Sequence, residues 1–502
     1  MSEVVSKLAA SSSVLVQLLL KRFKRSPVPK IFGLFVLFLL LKYRSNAIGT
    51  RRTRLPGPRG LPLIGNLLLL ASIPPNKFSH FHDLQHARYG STWTFTVLGL
   101  GRGIMVNDPA CIEHVLKTNF WAYEKGPVLR EAMADLLGNG IFGADGQNWK
   151  WQRKMASHIF NVKAFRDYTS NVFVHESQRV SDYFDRAVEQ GSVVDIHDIF
   201  LKFTLDSFGE ISFGQSFGCL DKLEGEIEFA AAFDRLNATV SNRLFLGSWR
   251  LIEWLSGTNK QVAKDKKIIV DFSLDIIRNR RLKGYTKPQK DLLQLFMELK
   301  GEDGEVLSDD MLKDSMLNFV IAGRDTTAQA LSWMFYLLHR SSTDKNIVKR
   351  LQEEIDTVLG DDEPTYESHK KMKFAEACSS LLPKCSSQYQ DVRSGRCFAN
   401  RDTTIWGPDA LEYNPDRWLK GDKFTPTQFP AFHAGPRTCL GQQFATIEAI
   451  TVISILFRRF SFELVDPDHE PPYGAGLTLP IESGLPLRIK RRELTKLTAV
   501  TV

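Results

Sequence analysis

A chain of 502 residues, 43% of them hydrophobic, holds ample apolar material for one large domain or two tightly packed ones. Its 65 Lys and Arg against 57 Asp and Glu leave a formal net charge of +8, but both signs are interspersed over most of the length. That excludes a nucleic-acid arm and favours a basic surface facing an acidic protein partner or an anionic membrane, so no nucleic-acid partner is expected. The cysteines Cys111, Cys219, Cys378, Cys385, Cys397 and Cys439 form no CxxC pair and are too few for a disulfide scaffold, so a reducing compartment is expected.

Near the N-terminus, "IFGLFVLFLLL", Ile31 to Leu41, is an unbroken apolar run with basic residues on both sides. It is shorter than the roughly 20 residues a helix needs to span hydrocarbon. The softer stretch "VLVQLLL" before it suits a second interfacial segment, and no small-residue cleavage site follows, which disfavours a signal peptide. Residues 1–49 therefore read as a membrane anchor with basic flanks held at the headgroups, spanning and monotopic forms both open. Residues 50–502 read as the folded body. In "LPGPRGLPLIGN", Pro56, Pro58 and Pro62 forbid a helix and give a stiff connection.

"STWTFTVLGLGRGIMVND" alternates and is rich in Thr, Trp, Phe and Val, predicting a β-hairpin turning at Gly99, Gly101 and Gly103. It lacks the following helix and the later acidic residue of a dinucleotide loop. Beyond it the pattern is mostly helical at least to Gly360. The strongest helix is capped by Ser308 and runs from Asp309 to Arg340, about 48 Å at 1.5 Å per residue. A helix that long and apolar on several faces must cross the centre of the molecule. In its middle stand Gly323, Arg324, Asp325, Thr326 and Thr327, all but the arginine weak helix formers. A threonine hydroxyl there can bond the carbonyl one turn back and bend the helix. Two readings stand side by side: Asp325 with Thr326 as a proton relay, or Asp325 paired with a neighbouring arginine while the threonines satisfy themselves.

"FHAGPRTCLG", Phe432 to Gly441, puts one cysteine between glycines just before an apolar helix, "GQQFATIEAITVISILFRRF". A thiolate that ligates iron needs its charge compensated, and a helix N-terminus supplies N–H groups and a dipole. Gly435 and Gly441 would let the backbone approach a flat cofactor, Phe432 would shield the sulfur, and Arg437 would pair with a carboxylate. The plainer reading of Cys439 is an inert buried thiol. Five specified positions in ten residues argue against coincidence.

These residues resemble the cytochrome P450 haem-thiolate monooxygenases. Phe432, Gly435, Arg437, Cys439 and Gly441 match the family's FxxGxRxCxG loop, and Ala322 to Thr327 match its AGx(D/E)TT element. "WKWQR", Trp149 to Arg153, is similar to its WxxxR helix, and "NPDRW", Asn414 to Trp418, to its meander. The resemblance implies a mainly α fold with small β-sheets. It implies haem b with Cys439 as axial thiolate, Asp325 and Thr326 delivering protons to bound dioxygen, and Trp149, Arg153 and Arg437 holding the haem propionates. It also implies electrons from NADPH through a cytochrome P450 reductase, with Lys150, Lys154, Arg458 and Arg459 as docking candidates beside the reading of a solvated basic face.

One element of the pattern is missing. The family carries an ExxR pair between the central helix and the meander, locking the meander arginine, here Arg417. This sequence has that spacing only at Glu176 and Arg179, upstream of the central helix and expected on the surface of an ordinary helix. In the expected place, Ser379 to Thr404 is polar, shows neither alternation nor helical periodicity, and is shorter than the segment it replaces. A shifted reading frame or wrong splice junction would leave this signature; a divergent loop is the rival account. The fold is therefore expected to be locally incomplete at 379–404, with 378–404 aberrant and Arg417 without its partners.

The wording around both motifs is similar to the branch of the family that hydroxylates fatty acids and alkanes. It implies terminal hydroxylation of a long acyl chain by an enzyme of the endoplasmic reticulum membrane facing the cytosol. Phe319, Ala322, Trp121 to Leu137 and Gly474 to Leu479 are the expected pocket walls, with plain core as the alternative for each. Two rival functions remain open: a haem-thiolate isomerase or dehydratase acting on peroxides, which would not need Asp325 and Thr326, and a non-functional or merely haem-binding product.

Overall fold

The computed structural model describes residues 27–74, 77–160, 163–222, 227–244, 249–287, 290–301, 304–380, 403–410, 412–420, 424–474 and 476–492. The "VLVQLLL" stretch, Cys385, Cys397 and residues 381–402 of the aberrant segment lie outside them. The chain divides into two compact units, residues 1–72 with 93–104 and residues 73–92 with 105–502.

In the first unit, helix α1 (Pro27–Lys42) has 16 residues, about 24 Å of helix. Among the described residues no helix is long and apolar enough to cross a membrane. The side chains of Ile31, Phe32, Leu34, Phe35 and Leu41 all stand exposed. The hairpin appears where alternation predicts it, as β1 (Thr92–Val97) and β2 (Gly101–Val106). The Thr94 hydroxyl donates to Gly103 O at 2.7 Å, and the Thr96 N–H to Asn66 Oδ1 at 3.0 Å, fastening the end of the proline-rich segment to the hairpin.

The second unit is helical around one central element. In chain order its main parts are α2 (Gly126–Leu137), α3 (Gly146–Phe160), α4 (Lys163–Gln190), β3 (Val193–Asp195), α5 (Ile196–Phe213) and α6 (Glu228–Arg243). They continue with α7 (Asp309–His339), α8 (Asn346–Leu359), α9 (Lys373–Ser380), α10 (Gln442–Arg459), β4 (Phe460–Leu464) and β5 (Pro486–Arg491). Helix α7 starts where its cap predicts, Ser308 Oγ accepting from Met311 N at 3.3 Å with Asp309 and Asp310 in the first turn, and ends one residue before the expected Arg340. It runs through both large apolar clusters, giving Leu317 and Val320 to one and Leu331 and Phe335 to the other. Gly323 is tolerated mid-helix because α5 packs close there: a Cβ at this position would collide with the Phe208 ring.

The three-stranded sheet has the order β3-β5-β4, antiparallel throughout, with Leu487 opposite both Val194 and Leu464. Phe184 of α4 meets Phe460 and Phe462 edge-on, at ring separations of 5.7 and 6.0 Å.

The upstream pair corrects the expectation made for it. Glu176 is buried, and Arg179 reaches it at 2.6 Å while facing the buried Asp206 at 3.6 Å and Asp221 at 2.5 Å. The two residues lie three apart on α4, on the side that packs against α5, so they share one inward face. There Arg179 compensates Asp206, whose oxygens accept the N–H groups of Cys219 and Leu220, each at 2.9 Å.

Candidate active site

The cysteine loop is two 3-10 turns, Pro430–Phe432 and Gly435–Arg437, leading into α10. The Cys439 N–H donates to Phe432 O at 2.8 Å and the Thr438 hydroxyl to Gly435 O at 2.7 Å, so the loop is closed by its own backbone. Gly435 has φ +67°, and a Cβ there would run into the carbonyl of Leu116. Its glycine thus serves packing on the helical turn His114–Thr118, a different reason from the close cofactor approach expected from sequence. At Gly441 a Cβ would meet only Cys439 Sγ, at 3.9 Å, so the space beside the sulfur is open. Phe432 is half-buried and contributes its carbonyl to the loop.

Cys439 is exposed by area on one side, yet enough protein surrounds it that burial raises its thiol pKa. Two groups oppose that effect: the Gly441 N–H beside the sulfur and the Arg153 guanidinium. Arg153 is itself lowered by burial and sustained by Cys439. No hydrogen bond ties the Arg153 side chain to any described residue, so an arginine within electrostatic reach of the sulfur has its donors to offer.

Trp149 and Arg153 lie one turn apart on α3, on one face. Trp149 is buried against Phe120, with the Arg437 guanidinium 4.5 Å over its ring. Arg437 Nη2 donates to Ala144 O and to Asp145 Oδ1, both at 2.9 Å. Asp145 also accepts the N–H groups of Lys125 at 3.1 Å and Gly126 at 3.0 Å. The carboxylate that Arg437 meets here is therefore one of the protein's own, which sequence reasoning missed. Lys150 and Lys154 are exposed, whereas Arg459 binds Asp185 and Ser181, and Arg458 binds the carbonyl of Asp362 at 2.7 Å.

On α7 the contacts are those of the plainer reading, an arginine beside Asp325 and a threonine satisfied within its own helix. The Thr326 hydroxyl donates to Ala322 O at 2.5 Å. Asp325 accepts from Arg324 at 2.9 Å and from Asn237 Nδ2 at 2.5 Å, and Arg324 also binds Asp234 at 2.5 and 3.0 Å. Desolvation pushes the Asp325 carboxyl up to about 6, against the pull of Arg324. One helix further back, Glu448 of α10 is fully buried and neither of its oxygens has a hydrogen-bond partner within normal geometry among the described residues; burial raises its pKa well above the usual range, opposed by the Thr327 hydroxyl facing it. Asn237, Asp234 and Glu448 gave no sequence signal, because each acts across a helix contact. The expected pocket residue Phe319 is buried in the core, its ring 5.5 Å from Phe160 and 5.7 Å from Phe296.

Arg417 is buried, and its Nη2 binds Asp409 through both the backbone oxygen and the carboxylate, each at 2.8 Å. It therefore keeps one partner that the sequence did not foresee, while its Nη1 is buried without any hydrogen bond among the described residues. The N-terminus of α9 is intact, Glu354 accepting from Phe374 N at 2.7 Å and Ala375 N at 2.8 Å.

The donor set fits a flat iron macrocycle with acidic side arms: an accessible sulfur given an N–H, open space beside it, and an arginine close by with donors to spare. Such a donor set, carried by a mainly α body with small antiparallel sheets, suits a haem-thiolate protein. A sequence model of the cytochrome P450 family matches residues 55–379 and 397–486, and the chain belongs to that family. It is 34% identical to the cytochrome P450 monooxygenase cyp1 of Mycosarcoma maydis, over 92% of this chain and 79% of the relative. It is 32% identical to cytochrome P450 704C1 of Pinus taeda, over 86% of this chain and 92% of the relative, and 33% identical to cytochrome P450 CYP94D108 of Paris polyphylla, over 78% and 85%. Members of this family are monooxygenases that use haem b, dioxygen and electrons derived from NAD(P)H through a reductase. The family match breaks at residues 380–396, inside the stretch that the sequence marks as aberrant.

Proposed function

We propose that this protein hydroxylates long-chain apolar substrates, with the terminal carbon of fatty acids as the target, and that Cys439 is the axial ligand of its haem. The observation that carries the reading is the Cys439 sulfur, which lies exposed in a loop closed by its own backbone, beside the Gly441 N–H and within electrostatic reach of Arg153. Bound there, the haem-thiolate group supplies dioxygen activation and insertion of one oxygen atom into a C–H bond. Arg153 would bind a propionate directly. Arg437 and Trp149 would support the same edge, with the arginine oriented by Asp145. Asp325 and Thr326 would pass protons inward, Asp325 being a carboxyl that titrates at about 6. The intact pair disfavours the isomerase or dehydratase reading.

The exposed apolar side chains of α1 and its basic flanks support attachment to the endoplasmic reticulum membrane. Exposed Lys150 and Lys154 support docking of an acidic reductase, while Arg458 and Arg459 are spent on contacts within the chain. The test is product analysis after incubating the haem-loaded protein with lauric acid, NADPH and a reductase: ω-hydroxylaurate supports the proposal, and in-chain products or none contradict it.

A second reading, a product that holds haem poorly, is favoured by one observation, the buried Nη1 of Arg417, which has no hydrogen bond among the described residues. The lock expected there has lost its carboxylate, so the chain as written is expected to retain less haem than one carrying an ExxR segment.

A further inference from the structure

Between α6 and α7, the side chain of Asn237 joins three parts of the molecule. Its Nδ2 donates to Asp325 Oδ2 at 2.5 Å, and its Oδ1 accepts the Leu477 N–H at 3.1 Å. The residue is buried, and the two contacts are of opposite kind, so the amide has one orientation only: a flipped side chain would turn Nδ2 onto an N–H and Oδ1 onto a carboxylate. The loop residue Leu477 packs against both large apolar clusters, so the N–H that fixes the amide is itself held firmly. Asp325 thus has one oxygen on Arg324 and the other on an amide whose direction is set from outside its own helix.

We propose that Asn237 is a positioning residue for the proton-delivering carboxyl: it holds Asp325 Oδ2 and sets how readily Asp325 takes and releases its proton. The inference rests on the reading of Asp325 as the proton donor. Other groups face this cluster. Arg324 lies on the same helix, and Asp234 on α6 binds Arg324 at 2.5 and 3.0 Å. His197 of α5 and Cys219 feel Arg324 electrostatically, and Glu448 of α10 faces the neighbouring Thr327. None of these replaces the Asn237 contact, because its Nδ2 is the donor on Oδ2 among the described residues. A hydrogen bond to the ionised form of a carboxyl favours that form, so losing it must raise the proton affinity.

The test uses the full chain, with the infrared C=O band of protonated carboxyls followed across pH and Asp325→Asn as the subtraction that isolates Asp325. Asn237→Leu keeps the volume and removes both contacts. Asn237→Asp keeps an acceptor for Leu477 and guards against a folding failure of the first variant. Asn237→Leu is expected to move the midpoint upward by about one unit, the worth of one hydrogen bond to a charged group, and Asn237→Asp to move it further in the same direction, because it sets a second carboxyl against Asp325. In haem-reconstituted protein, the pH profile of hydroxylated product per NADPH should move with it. An unmoved midpoint in both variants, with product yield still dependent on Asp325, overturns the role of Asn237 alone. An unchanged product yield in Asp325→Asn overturns the proton-donor reading and the role of Asn237 in it together.

Discussion

Arg437 and Arg417 are both largely buried and both sit beside tryptophans, but their surroundings differ. Arg437 lies over Trp149, binds Asp145 and Ala144, and belongs to a loop closed by its own hydrogen bonds. Arg417 lies near Trp406, binds Asp409, and has no hydrogen bond at its buried Nη1 among the described residues. The difference teaches that the loop carrying the candidate site is closed upon itself, whereas the corner at Arg417 lacks the ExxR carboxylate that the family pattern puts there. It also locates the loss, since residues 380–396 fall outside the family match.

The largest expected effect is that of Cys439→Ala, which should abolish any thiolate-type absorption of bound haem. Next comes Asp325→Asn, expected to lower product per NADPH about 100-fold with little change in haem content, the size usual for a positioned acid or base. A drop in haem content of similar size would move Asp325 from the chemistry to the scaffold.

The two arginines then test the comparison directly. Arg437→Met should destabilise the chain by about 3 kcal/mol in urea unfolding, because it leaves Asp145 buried and uncompensated. Arg417→Met should cost only about 1 kcal/mol, since it also removes a donor that is already unsatisfied. Equal costs would break the contrast.

The smallest effect is in the pH dependence of stability. The folded-state pKa of Asp325, about 6, lies above its ordinary value of 3.8, so ionising it costs the folded state. Relative to Asp325→Asn, the wild type should lose stability as pH rises from about 3.8 to about 6 and stay level above that. A constant difference across that window would mean that Asp325 is not strained by burial.

Much of this was readable along the chain. Helix α7 begins at the capped Asp309, the hairpin turns at its glycines, and α10 starts one residue after Gly441, because caps, alternation and turn residues are local signals. What was not readable depends on contacts between distant segments. Gly323 answers to Phe208, Gly435 to the Leu116 carbonyl, and Arg437 to Asp145. Glu176 and Arg179 had a surface pattern but turn inward, since the buried Asp206 that Arg179 faces comes from a later segment.

The most direct test of the central claim is the carbon monoxide difference spectrum of the reduced protein, measured on the chain as written and on a variant whose residues 381–402 are replaced by a segment restoring ExxR. The account predicts a strongly red-shifted Soret band in the restored variant, its loss on Cys439→Ala, and a much weaker band in the chain as written. Equal bands in the chain as written and the restored variant would contradict it, showing that the Arg417 corner needs no lock.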